Sequence, residues 1–144
     1  SLVGSEMCIR DRLFGGKGND TLRAGNGGAT ISGGADNDTI TSGSGNDVLS
    51  GGAGNDSLSS DAGDDTVYGG AGNDIQRGGS GTVRLIALSG TNTITVGTGP
   101  TTVYLNKLST VTNPGSNVTV VLKGPSDSAG PADPTSGLFS VSAI

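Results

Sequence analysis

The chain has 144 residues, enough for one domain or part of one. Only 31% of them are hydrophobic and 3% aromatic, while 28 are Gly, which excludes a thick core and leaves either disorder or a Gly-dependent repeat. A net charge of −5, no His and a single Cys exclude imidazole catalysis, His or thiolate zinc sites and an internal disulfide framework.

The first twelve residues, SLVGSEMCIRDR, do not fit the rest of the chain, since they hold its only Cys, Met and Glu. They resemble a read-through translation of sequencing-adapter DNA. We therefore expect 1–12 to be non-native, set the segment aside, and expect the chain to be a fragment of a longer protein. No apolar run anywhere approaches the roughly 18 residues that span a bilayer.

From Gly15 the chain divides into nines without an insertion: GGKGNDTLR, AGNGGATIS, GGADNDTIT, SGSGNDVLS, GGAGNDSLS, SDAGDDTVY, GGAGNDIQR and GGSGTVRLI. Two weaker units, ALSGTNTIT and VGTGPTTVY, end at Tyr104. Fixed-period similarity of this kind is the mark of a stacked repeat. The glycines suit positions 1 to 6 to a turn. Positions 7 to 9 put Leu, Ile or Val between Thr, Ser or similar residues, a three-residue strand with one buried side chain. One such strand cannot bury its face alone. The expected fold is all-β: a flattened, right-handed parallel β-roll, or β-solenoid, of two nonapeptides per coil, with position 8 filling a thin core. Gln76 interrupts that row, and a one-residue slip or fraying is expected there.

A coil of eighteen residues stacks every second turn on one edge. The odd turns carry Asp20, Asp38, Asp56 and Asp74; the even turns carry Asp47 and Asp65, with Ala29 and Val83 at the ends. Carboxylates stacked at the strand spacing of about 4.8 Å repel by about 3–4 kcal/mol per pair at an effective dielectric near 20. Lys17 is the only base in these turns. Carboxylates and turn carbonyls, with no N or S donor, form a hard and flexible oxygen site that favours Ca²⁺ over Zn²⁺, copper or Mg²⁺.

The phrase G-G-x-G-x-D-x-(apolar)-x resembles the calcium-binding nonapeptide of RTX, or hemolysin-type, proteins, a pattern that is strong over residues 15–86 and weak over 87–104. The resemblance implies a parallel β-roll with Ca²⁺ between same-edge turns. It implies side-chain ligands at Asp20, Asp38, Asp47, Asp56, Asp65 and Asp74. Carbonyl ligands are expected among Gly15, Lys17, Gly33, Gly34, Ala35, Gly51, Gly52, Ala53 and Gly54, and among Gly69, Gly70, Ala71, Gly72, Ser42 and Ser44. About four ions are expected: Asp20/Asp38, Asp38/Asp56 and Asp56/Asp74 on the odd edge, Asp47/Asp65 on the even one. The resemblance further implies a bacterial protein secreted through a type I secretion apparatus and folding in extracellular calcium.

Two departures stand out: Asp36 replaces Gly at position 4, adding a carboxylate or straining the turn, and Asp61 and Asp64 are extra acids expected to be solvated. Residues 13–86 are the expected roll, 87–122 a degenerate β-solenoid or β cap, and 123–144 a linker or tail. The fragment itself is read as non-catalytic. The alternatives are an adhesin or glycan-binding surface module, or the C-terminal part of an exported protease, lipase, epimerase or cytotoxin. Its acidic block repels nucleic acid. The Gly-rich stretches lack the Lys-Ser/Thr of a phosphate-binding loop.

Overall fold

In the computed structural model, residues 2–3, 10–106, 109–112, 118–122 and 141–142 are described. Cys8 and most of the expected tail at 123–144 lie outside the described residues. All described regular structure is β, and every strand pair is parallel. Among the described residues no helix is long and apolar enough to cross a membrane.

The chain builds two sheets by alternating between them. One is made of short strands: β1 (Leu2–Val3), β3 (Thr21–Arg23), β5 (Thr39–Thr41), β7 (Ser57–Ser59), β9 (Ile75–Arg77), β11 (Thr93–Thr95), β13 (Thr110–Thr112) and β15 (Val141–Ser142), in that spatial order. The other runs β2 (Asp11–Lys17), β4 (Ala29–Ala35), β6 (Val48–Ala53), β8 (Asp65–Ala71), β10 (Val83–Ala87), β12 (Thr101–Leu105) and β14 (Val118–Leu122). Each strand therefore pairs with the strand two elements away, one coil later. The result is a parallel β-solenoid, and it continues through β11 to β14 in the same two sheets.

Position 8 is the core. In the first sheet Leu22, Ile40, Leu58, Gln76, Ile94 and Val111 stack in register. In the second, Leu13, Ile31, Leu49, Val67, Leu85 and Val103 do the same. These apolar side chains are buried, each contributing about 1.5–3 kcal/mol relative to exposure. Ile75, one residue before Gln76, is exposed and pairs with Ser57, so the seventh strand keeps its register and the expected slip does not occur. A hydrogen bond from the Gln76 amide to Ile86 O, 2.9 Å, holds the polar side chain inside.

The turns differ from the sequence expectation in one respect. On the odd edge positions 1 to 3 are not turn but strand: Gly34 and Ala35 extend β4 and pair with Gly52 and Ala53 of β6. Strand ladders on both sides override the poor β-propensity of Gly. Gly52 has φ +117°, and a Cβ there would run into the backbone of Gly34 one coil below. Gly52→Ala is expected to destabilise the calcium-loaded fold by about 2 kcal/mol or more, through both strain and close approach. A thermal melt in calcium measures it; a melt unchanged within a degree would refute the close packing.

Candidate metal centre

Position 6 ends each turn, directly before the strand that follows for Asp20, Asp38, Asp47, Asp56 and Asp74 and as its first residue for Asp65, so its side chain sits at the coil edge. Asp38, Asp47, Asp56, Asp65 and Asp74 are accordingly buried, and Asp20, on the first coil, is half-buried. Each carboxylate leans toward the coil below. Oδ1 of Asp38 accepts the N–H of Asp20 (2.8 Å), Asp56 that of Asp38 (2.8 Å), and Asp74 that of Asp56 (3.0 Å). On the even edge Asp47 accepts from Ala29 N and Asp65 from Asp47 N, at 2.6 and 2.9 Å. One oxygen of each of these five Asp residues is thus committed to the backbone.

The second oxygen is not. Eight buried side-chain atoms lack a hydrogen-bond partner among the described residues, and all eight are oxygens: Oδ2 of Asp20, Asp38, Asp47, Asp56, Asp65 and Asp74, with Ser42 Oγ and Gln76 Oε1. Leaving such an acceptor bare costs about 1–3 kcal/mol, more when it is charged. Buried carboxylate oxygens without a donor are complementary to cations.

The neighbouring carbonyls fit the same reading. The space where a Cβ would stand on Gly15 lies beside Asp20 Oδ2 and 2.6 Å from Gly33 O. On Gly33 that space lies beside Asp38 Oδ2 and 2.7 Å from Gly51 O, and on Gly51 it is shared by Asp56 Oδ2 and Gly69 O. The odd edge therefore has three corners, each with an unpartnered carboxylate oxygen from the lower coil and a Gly carbonyl from the upper one. Position 1 is Gly there because any side chain would fill the corner. The other expected carbonyls are placed less directly. Gly34, Ala35, Gly52, Ala53 and Gly70 lie in the paired strands, and Ala71 O accepts Gly54 N at 2.9 Å. Lys17 pairs with Ala35 at the start of the stack. Gly54 and Gly72 take positive φ in the turns, and Ser44 bridges to Ala62 on the even edge. No three Asp, Glu, His or Cys side chains converge among the described residues, so carbonyls must complete any shell.

Burial first, and then neighbouring carboxylates, push Asp47, Asp56, Asp65 and Asp74 above their ordinary range. Asp56 is raised by desolvation and by Asp74 and Asp38 on either side; Asp65 by desolvation and by Asp47 and Asp64. Desolvation likewise raises Asp47 and Asp74. Hydrogen bonds from the coil below oppose the rise in all four and do not cancel it.

A second ladder runs beside the Asp column and goes beyond the sequence expectation. Position 5 carries Asn19, Asn37, Asn55 and Asn73 on the odd edge. Asn19 Oδ1 accepts Asn37 N, Asn37 accepts Asn55 N, and Asn55 accepts Asn73 N, at 2.7–2.9 Å. These bonds point up the stack while the Asp bonds point down it. Its signal in the sequence is the recurring Asn-Asp pair. Asp64 takes the Asn role on the even edge, accepting Thr82 N from an exposed position, and Asp61 is exposed. Asp36 has φ +78°, and its Oδ2 accepts Gly18 N at 3.1 Å, so it strains the turn and ties it to the coil below.

The chain matches the RTX calcium-binding nonapeptide repeat family over residues 10–40, 24–58, 41–76, 50–85 and 68–103, in overlapping frames. No curated protein and no solved structure matches.

Proposed function

Since the chain belongs to the RTX calcium-binding nonapeptide repeat family, we propose that it binds about four Ca²⁺ ions through its stacked Asp turns, and that this binding drives its folding. The observation that carries the reading is the set of six buried Asp Oδ2 atoms without partners, confined to the position-6 columns. Three ions belong to the odd-edge gaps, with Asp20, Asp38, Asp56 and Asp74 as carboxylate ligands and the carbonyls of Gly33, Gly51 and Gly69 beside them. One belongs to the Asp47/Asp65 gap. The outer even positions, Ala29 and Val83, offer no carboxylate.

The ion would neutralise adjacent carboxylates and satisfy their free oxygens. The chain's own contribution is to hold each Oδ1 on a backbone N–H, fixing the carboxylate, and to keep Gly at position 1 so that the corner stays open. RTX repeats are typical of secreted bacterial proteins. A parent protein that leaves the cell unfolded through a type I apparatus and folds in external calcium suits this design, because the fold would lack its counter-charge where calcium is scarce. Calorimetric titration with CaCl₂ at pH 7 is expected to give about four tight sites; one site or none would sink the proposal.

A further inference from the structure

The outward side of the second sheet is the surface that the calcium turns do not use. Side chains alternate along each strand, so two outward rows cross β8, β10 and β12. One holds Thr66, Arg84 and Thr102 in register, the other Tyr68, Ile86 and Tyr104. Arg84 and Tyr68 are exposed, and the other four are half-buried. Followed back to Arg12 and Phe14 in β2, neither row contains an Asp or Glu. In a chain with 13 acids, this face is cationic.

The Arg84 guanidinium lies over the Tyr104 ring, 5.6 Å from its centroid. Tyr104 is its diagonal neighbour on the next strand, within reach of a long side chain. The ring holds the guanidinium by a cation–π contact, and among the described residues no carboxylate pairs with it. A held, unpaired guanidinium suits a planar anion such as a carboxylate, which it can meet with two N–H groups.

The backbone groups of β10 are taken by ladders on both sides, so a partner lying on this face meets side chains alone. Those side chains are the hydroxyls of Thr66 and Thr102 on either side of Arg84, and the ring and phenol of Tyr68. Hydroxyls exchange hydrogen bonds with sugar hydroxyls, and an aromatic ring packs against the C–H face of a sugar. We propose that this face binds an acidic polysaccharide, with Arg84 on a sugar carboxylate and Tyr68 against a ring face. In one respect this rests on the calcium reading: about four bound Ca²⁺ would carry the chain from −5 to about +3, which favours a polyanion.

The test is calorimetric titration of the full chain with a short oligogalacturonate at pH 7 and fixed free calcium. The parent is expected to bind it. Arg84→Gln is expected to weaken binding about tenfold or more while keeping the parent's calcium stoichiometry, since it removes charged hydrogen bonds from an exposed residue. Tyr68→Ala is expected to weaken it as well, and the methyl ester of the same sugar to bind the parent poorly. A parent that takes up calcium but ignores the oligogalacturonate, or binds it equally well as Arg84→Gln, would overturn this inference and leave the calcium reading standing. Binding to phosphatidylglycerol vesicles but not to the sugar would also overturn it. A parent that takes up no calcium, yet binds the sugar through Arg84, would overturn the reading of the turns and leave this face standing.

Discussion

Chelating calcium at pH 7 is expected to abolish the β-sheet signal of the chain in circular dichroism, and calcium restored to the millimolar range of extracellular modules is expected to bring it back. The scale of the effect comes from the columns. Each of the four facing Asp pairs carries about 3–4 kcal/mol of repulsion at the strand spacing and an effective dielectric near 20, so the sum rivals the roughly 5–15 kcal/mol that holds a whole domain together. Six charged acceptors without donors add to it. Against this stands a core one side chain wide, in which small and β-branched residues are common. An ion in each gap would turn the repulsion into attraction, and without it the metal-free fold is expected to have too little apolar burial to resist.

Asp56→Asn separates charge from shape in the same experiment. Asn92 already shows how an amide fits the column, keeping the hydrogen bond to the coil below and giving its nitrogen to a turn carbonyl. The variant is therefore expected to need more calcium to fold, because Asp56 stands between Asp38 and Asp74, yet to be more ordered than the parent in chelator. A chain whose spectrum is the same with and without calcium would refute the proposal that the ion drives folding.

Much of this was legible because the repeat is local. The nine-residue period placed Leu22, Ile40 and Leu58 in one row, and eighteen-residue spacing sorted the Asp residues by edge. What escaped depends on partners a full coil away. Asn37 in sequence is a turn residue; that its Oδ1 takes Asn55 N emerges only when the coils are stacked. Gly34 reads as turn because its propensity is poor, whereas flanking ladders make it strand. Gln76 looked like a fault in the core, yet an amide long enough to reach Ile86 O keeps the register that a slip would have broken. Beyond Ile94 the step between paired strands shortens from eighteen residues to seventeen, Ile94 meeting Val111, and Ser109 Oγ replaces the carboxyl that would accept Asn92 N. The calcium pattern fades there because the column ends in an amide and a hydroxyl, which need no ion.

Acid should stabilise the metal-free chain and weaken the calcium-loaded one. Asp47, Asp56, Asp65 and Asp74 are all raised above the ordinary carboxylate range in the folded state, with burial as the leading cause. Between the unfolded value of about 3.9 and the raised folded values, the folded chain holds protons that the unfolded chain has released. Stability therefore rises as pH falls through that window and stops rising below about 3.9, the reverse of an ion-paired carboxylate. A proton on Oδ2 also turns an orphan acceptor into a donor, and the carbonyls of Gly51 and Gly69 lie in the same corners as Asp38 and Asp56. Calcium needs the same oxygens deprotonated, so its affinity falls over the same window. In chelator β structure that is absent at pH 7 is expected to begin to return as the pH falls to about 4.5, while melting in calcium moves down, so that the two conditions converge. The same pH response with and without calcium would mean that the Asp columns are solvated, and that neither the proton nor the ion is what the buried oxygens lack.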